Sequence, residues 1–219
     1  MLKSNTQSQY VHAMGHHSLG PLYDPFVRLF MRERMLRGRL IESLPLQEGG
    51  RMLDIGCGTG TLAVWTKRRF PQAHITGIDG DPDIIERARR KATASAAEVQ
   101  FKVALATNLP FIADWSFDCV TSTFVMHHLP LEQKRRCLEE SHRVLRPNGQ
   151  ICIVDFGPAR GRLGRALGSA LRGVAYMADN LEGRLPDLLR DVGFLEVRET
   201  ARVTTVLGPA VFLSGRSAS

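Results

Sequence analysis

From residue 50 onward the chain alternates short apolar runs of strand length with turn residues and longer stretches whose apolar positions recur at helical spacing. The pattern predicts strands over 51–55, 75–79, 100–103, 117–122 and 150–155, and helices over 61–70, 82–97 and 131–145. Asp81-Pro82 marks a helix start, because the aspartate accepts hydrogen bonds from free backbone N–H groups and proline is preset for the first helical position. Arg146-Pro147-Asn148-Gly149 marks a stop. Strands that alternate with helices imply parallel pairing through right-handed crossovers. The predicted fold is therefore α/β: an open, mostly parallel twisted sheet with helices on both faces.

The flanks are less regular. The first twenty residues lack periodicity and read as an arm, while Phe26, Leu29, Phe30, Leu36, Leu40 and Leu44 predict an amphipathic helix over 25–44. After Asp155 the pattern weakens into an arginine- and glycine-rich insertion over about 158–182, whose apolar stripe of Leu163, Leu167, Ala170, Leu171 and Val174 suits a lid, a contact with an anionic membrane surface, or plain packing. A last helix is expected over 185–192. Strands near 195–200 and 210–214 are expected to close the sheet as an antiparallel hairpin at its edge.

The 219 residues and their 43% hydrophobic and 23% charged content suit one globular domain and argue against a disordered or fibrous chain. Lys+Arg 29 against Asp+Glu 22 gives +7, which keeps nucleic acid and acidic lipid in view as partners. No apolar run approaches the roughly 20 residues that span a bilayer, and the first residues do not resemble an export signal. Four widely spaced cysteines, without a C-x-x-C pair, suggest neither zinc nor a disulfide framework and point to the cytoplasm. His12, His16 and His17 have no acidic partner nearby in the sequence, so no metal is expected.

The chemistry concentrates in Met52-Leu53-Asp54-Ile55-Gly56-Cys57-Gly58-Thr59-Gly60, an apolar strand that runs into three alternating glycines and then a helix. The glycines permit a tight turn and let a ligand touch bare backbone, and the helix start offers unpaired N–H groups to an anion. A dinucleotide fingerprint needs a third small residue where this chain has Thr61. Ile75-Thr76-Gly77-Ile78-Asp79 ends a second strand in a carboxylate that can accept both hydroxyls of a ribose, with Gly80 beside it.

The run Asp54, Gly56, Gly58, Gly60 resembles the D-x-G-x-G-x-G motif of class I S-adenosylmethionine-dependent methyltransferases. Asn108-Leu109-Pro110-Phe111, Ser116-Phe117-Asp118, Met126-His127-His128-Leu129 and Val144-Leu145-Arg146-Pro147-Asn148-Gly149 resemble landmarks of the ubiquinone and menaquinone C-methyltransferase branch, over residues 50 to 156. The resemblance implies S-adenosylmethionine as cofactor, its methionine portion on the backbone from Gly56 through Cys57 and Gly58 to Gly60. It implies Asp54 near the amino group, directly or through water, and Asp79 on the ribose. Where such enzymes carry an aspartate for the adenine amino group this chain has Leu105, so adenine is left to backbone around Ala106 and Thr107, to the Thr107 or Asn108 side chains, or to packing.

By the same resemblance residues 1–48 form an arm and helix that cover the site, and residues 49–219 form the cofactor-binding domain. The expected acceptor is a small molecule, aromatic, quinone-like or lipid-like, with carbon, oxygen, nitrogen and sulfur all open as the methylated atom. A base is needed only where the acceptor must lose a proton, and His127 and His128, at the carboxyl edge after the fourth strand, are the candidates. Thr123 lies toward the cofactor, while Tyr23 and Phe124 fall toward the acceptor pocket. Two other readings stay open: methylation of RNA or another nucleic acid, and a cofactor-binding protein without catalysis. Against the first, Ser122-Thr123-Phe124-Val125 stands where base methylases carry an Asn/Asp-Pro-Pro-aromatic motif.

Overall fold

The computed structural model describes residues 33–159, 176–205 and 208–218. Its strands are β1 Arg51–Ile55, β2 His74–Asp79, β3 Val99–Val103, β4 Phe117–Thr123, β5 Leu145–Phe156, β6 Leu195–Thr205 and β7 Gly208–Arg216. The helices are α1 Glu33–Ser43, α2 Thr61–Arg69, α3 Pro82–Ala94, α4 Leu131–Val144, α5 Ala178–Leu181 and α6 Leu185–Asp191. All seven strands form one sheet in the order β3-β2-β1-β4-β5-β7-β6. β1 pairs parallel with β2 on one side and with β4 on the other. The chain therefore reverses its direction of travel across the sheet between β1 and β4, and the crevice beyond their carboxyl ends is where ligands of such sheets bind.

Alternation along the central strands sends side chains to two separate cores. Met52, Ile75, Cys119 and Val154 pack with Leu36 and Leu40 of α1, Leu62 of α2 and Ile85 and Ala88 of α3. Leu53, Ile55, Ile78, Val120 and Ile153 pack on the other face with Leu138 of α4 and Leu188 and Leu189 of α6. Helices on both faces explain why these strands read as nearly continuous apolar runs. The hairpin lies at the sheet edge: β7 runs antiparallel to β5, and β6 pairs antiparallel outside it.

The predicted elements differ from the observed ones mainly at their ends. Asp81 caps α3 by accepting from the N–H groups of Asp83 (2.8 Å) and Ile84 (3.3 Å). That helix stops at Ala94 rather than 97, closed by the Ala97 N–H to the Ala92 carbonyl, with Ala96 at φ 48°. The stop at 146–149 falls inside β5. Phe117 pairs with Leu145 but Cys119 pairs with Gln150, so the extra residues loop out, turning at Asn148 with φ 63°. Of the helix predicted over 25–44, Glu33–Ser43 is helical and the earlier part lies outside the described residues.

Candidate functional site

The turn between β1 and α2 is held at positive φ at Gly56 (62°), Gly58 (53°) and Gly60 (75°). The three glycines have different reasons to be there. A Cβ on Gly56 would sit 2.3 Å from Val125 Cγ2, and one on Gly60 would sit 2.7 Å from Phe101 Cζ, so those two are small because the protein closes on them. Around Gly58 nothing lies within 4 Å: its bare face opens on the crevice. The turn is tied from several sides. The Cys57 N–H donates to the Ile78 carbonyl (2.9 Å), the Gly58 N–H donates to Asp79 Oδ2 (3.0 Å), and Lys91 of α3 donates to the hydroxyls of Thr59 and Thr61, both at 2.7 Å.

Asp79 ends β2 directly across this turn. Its other oxygen accepts the Asp81 N–H at 3.1 Å, which leaves lone pairs on both oxygens for further donors. Burial raises its carboxyl above the ordinary value, against the backbone N–H groups that pull it down. Gly80 follows between the two aspartates. Ala106 and Thr107, half-buried, lie in the loop after β3, whose first residue Ala104 donates its N–H to the Asp79 carbonyl at 2.9 Å.

Asp54 is almost wholly buried beneath the turn. One carboxylate oxygen accepts from Thr121 Oγ1 at 2.8 Å, while Oδ2 has no hydrogen-bond partner among the described residues. Burial pushes the carboxyl up to about 6, a rise that the Thr121 hydroxyl and the nearby Arg37 charge moderate. Thr123 Oγ1, at the end of β4, is likewise buried without a described partner. Unsatisfied buried oxygens are costly. Here Asp54 Oδ2 and Thr123 Oγ1 stand at the carboxyl ends of the two strands that flank the crevice.

Past β4 the chain turns through Phe124, held at φ 56°, into a 3-10 turn at Met126–His128. His127 is buried, and its Nδ1 lies 2.8 Å from Asp155 Oδ1 near the end of β5. Asp155 is fully buried and also accepts from the N–H groups of Met126 (2.8 Å) and Phe156 (2.7 Å). Burial alone would raise this carboxyl, but the neighbouring His127 and the Phe156 N–H outweigh it and hold it below its ordinary value. A carboxylate can only accept, so the proton of that contact sits on His127 Nδ1 and Nε2 is left as the basic nitrogen. Phe156 stacks edge-on to His127 at 4.9 Å between centroids and tilts against Phe124 at 5.3 Å. The His128 ring lies 4.0 Å from the His127 ring, and burial with that neighbour lowers its pKa to about 4, so it is neutral near pH 7.

The structure thus gathers Asp54, the glycine turn, Asp79, Gly80 and Thr123 around one crevice, with His127, His128 and Phe124 on the segment that follows β4. Tyr23 and most of the insertion, with its possible membrane contact, lie outside the described residues. Two groups escaped the sequence reading. Asp155 looked like the end of a strand; the signal was a carboxylate at the carboxyl end of the strand next to the histidine turn. Arg143 clamps the 109–114 loop by donating to the carbonyls of Leu109 (3.0 Å) and Ile112 (2.9 Å), while Glu140 accepts the Leu109 N–H (2.7 Å). Among the described residues no three His, Cys, Asp or Glu side chains gather as a metal site, and no helix is long and apolar enough to cross a membrane.

This strand order, with a glycine turn after β1 and a carboxylate ending β2, defines the class I methyltransferase fold. The sequence model of a family described as a methyltransferase domain matches residues 52–149, a little under half of the chain. The chain is similar to the demethylmenaquinone methyltransferase of Thermus thermophilus, 37% identical over 142 residues, which cover 64% of this chain and 63% of the relative. It is also similar to a ubiquinone/menaquinone biosynthesis C-methyltransferase of Geotalea uraniireducens, 33% identical over 155 residues, covering 68% of this chain and 65% of the relative. The chain therefore spans just under two thirds of the length of these relatives. Among solved structures, the apo form of the S-adenosylmethionine-dependent methyltransferase SibL shares the fold with a TM-score of 0.72 at 21% identity, over 93% of this chain and 60% of that one.

The residues present fit S-adenosylmethionine. Asp54 Oδ2 is a buried acceptor in want of a donor, Gly58 leaves open the space that a Cβ would fill, and Asp79 keeps acceptor capacity on both oxygens.

Proposed function

We propose that this chain transfers a methyl group from S-adenosylmethionine to a small aromatic, quinone-like or lipid-like acceptor, with His127 as general base and Asp155 as the residue that orients it. Bound in the crevice, the cofactor supplies an electrophilic methyl group. The Gly56–Gly60 backbone and Asp54 hold its amino-acid end, Asp79 its ribose, and the 106–107 loop its base. His127 Nε2 takes a hydroxyl proton from the acceptor, which raises electron density on the atom to be methylated. Asp155 keeps the imidazole in the tautomer that makes Nε2 basic, and its charge stabilises the imidazolium that forms. Neutral His128 and the rings of Phe124 and Phe156 pack around the imidazole. The similarity to quinone-methylating relatives supports a quinol-type acceptor, and four buried cysteines, none in a disulfide, support the cytoplasm.

The observation that carries the reading is the 2.8 Å contact between His127 Nδ1 and Asp155. Its test is labelled-methyl transfer to 1,4-dihydroxynaphthalene. His127→Ala should slow turnover by at least about a hundredfold, and Asp155→Asn should slow it and displace its pH profile. Both should bind S-adenosylhomocysteine within about twofold of the parent, a factor that corresponds to under about 0.5 kcal/mol. Unchanged turnover in His127→Ala would remove the base from the mechanism.

A further inference from the structure

Asn180 of α5 is 1% exposed, and neither its Oδ1 nor its Nδ2 has a hydrogen-bond partner among the described residues. A buried primary amide left wholly unpaired is a cost that folded proteins seldom carry without a use for it. The segment around it is firmly seated. Lys134, fully buried in α4, donates to the Tyr176 carbonyl (2.8 Å) and to Asp179 (3.0 Å), and Arg184 closes on the far side of Asp179 at 3.6 Å. α5 packs against both the turn that carries His127 and the strand that carries Asp155. Met177, one helical turn before Asn180, is buried in the same cluster as Phe156, whose ring touches that of His127. The unpaired amide therefore stands on the inward side of an element fixed against the proposed base.

We infer that Asn180 recognises the acceptor, donating through Nδ2 and accepting through Oδ1 at an oxygen substituent other than the one that gives its proton to His127. The acceptor class is then an aromatic ring with two oxygens, hydroxyl or carbonyl, rather than a simple phenol or an apolar lipid. This rests on the methyl-transfer reading above and adds to it the part of the acceptor that the pocket reads.

The test uses the full chain saturated with S-adenosylhomocysteine and two probes, 1,4-dihydroxynaphthalene and 1-naphthol, with dissociation constants from calorimetry. The parent should prefer the two-oxygen probe by about tenfold, the scale of one well-made buried hydrogen bond. Asn180→Leu and the smaller Asn180→Ala should bind both probes alike, keep the parent's affinity for S-adenosylhomocysteine, and, without ligands, Asn180→Leu should melt no lower than the parent. A purely structural amide would give the opposite: a lower Tm with the preference intact, which overturns the inference while the methyl-transfer reading stands. A parent that binds neither probe overturns the quinol-type acceptor and this inference with it.

Discussion

Gly58 and Gly60 lie two positions apart, both at positive φ, yet a methyl group added to each would meet different surroundings. At Gly60 it strikes Phe101 and Ala88; at Gly58 it enters open space in the crevice. Gly60→Ala should therefore add, to the left-handed backbone penalty, a stability cost on the scale of core overpacking, about 1–3 kcal/mol. Gly58→Ala should cost only the left-handed backbone penalty of about 1–2 kcal/mol while weakening cofactor binding more than Gly60→Ala does. Thermal melts paired with S-adenosylhomocysteine titrations separate the two effects, and equal loss of stability would contradict the assignment of Gly58 to the ligand. Asp54 shows the same trade in charge. Its carboxyl titrates higher in the folded chain than unfolded, so its contribution favours folding at low pH and is lost as pH rises through about 6. Near pH 7 the free protein holds a buried, half-satisfied carboxylate that a cationic amino group would complete.

At the scale of elements, the α4–α5 contact rests on one buried cation. Lys134→Met removes the donor to Tyr176 and Asp179 and should destabilise the protein by about 3 kcal/mol, as breaking a buried pair does. Adding Asp179→Leu should recover part of that loss, since the isolated carboxylate is then gone. A double variant no more stable than the single one, read by denaturant melts, would contradict this account. None of this was legible in the sequence, where Lys134 stands among charged residues in a helix and looks solvated. The central elements were legible, because strands buried on both faces are nearly continuously apolar and Asp81-Pro82 announces its helix. The glycine turn after β1 was legible because glycine spacing is local. The His127–Asp155 pair was not, because it joins residues 28 positions apart through the neighbouring placement of β4 and β5. Helix α4 does end at Val144, just before the stop at 146–149, but the early start of β5 was not legible, because β5 pairs with β4 on both sides of that bulge.

For the molecule as a whole, part of the arginine complement is paired within the fold. Arg143 pairs with Glu140 and Asp114, Arg146 with Asp118, Arg184 with Asp179 and Glu182, and Arg216 with Glu196, tying loops and strand ends across the sheet. Each such pair contributes little by itself at an exposed position, but Arg143 also holds the loop beside the cofactor crevice through two carbonyls. The sheet brings the two ends of the proposed chemistry together: β1 and β2 end in the residues proposed for the cofactor, and the turn after β4 and the end of β5 carry the proposed base and its partner.

The measurement that tests this account most directly is calorimetric titration of S-adenosylhomocysteine at pH 7 and pH 5, between which the ligand's own groups do not titrate. With the Asp54 carboxyl at about 6, the ionised fraction falls about tenfold over that interval, so the parent should bind one equivalent at pH 7 and bind it up to about tenfold more weakly at pH 5. Asp54→Asn, which keeps a partner for Thr121 but carries no charge, should bind weakly and equally at both. A parent that takes up no ligand at either pH, or an Asp54→Asn variant that keeps the parent's pH dependence, would contradict it.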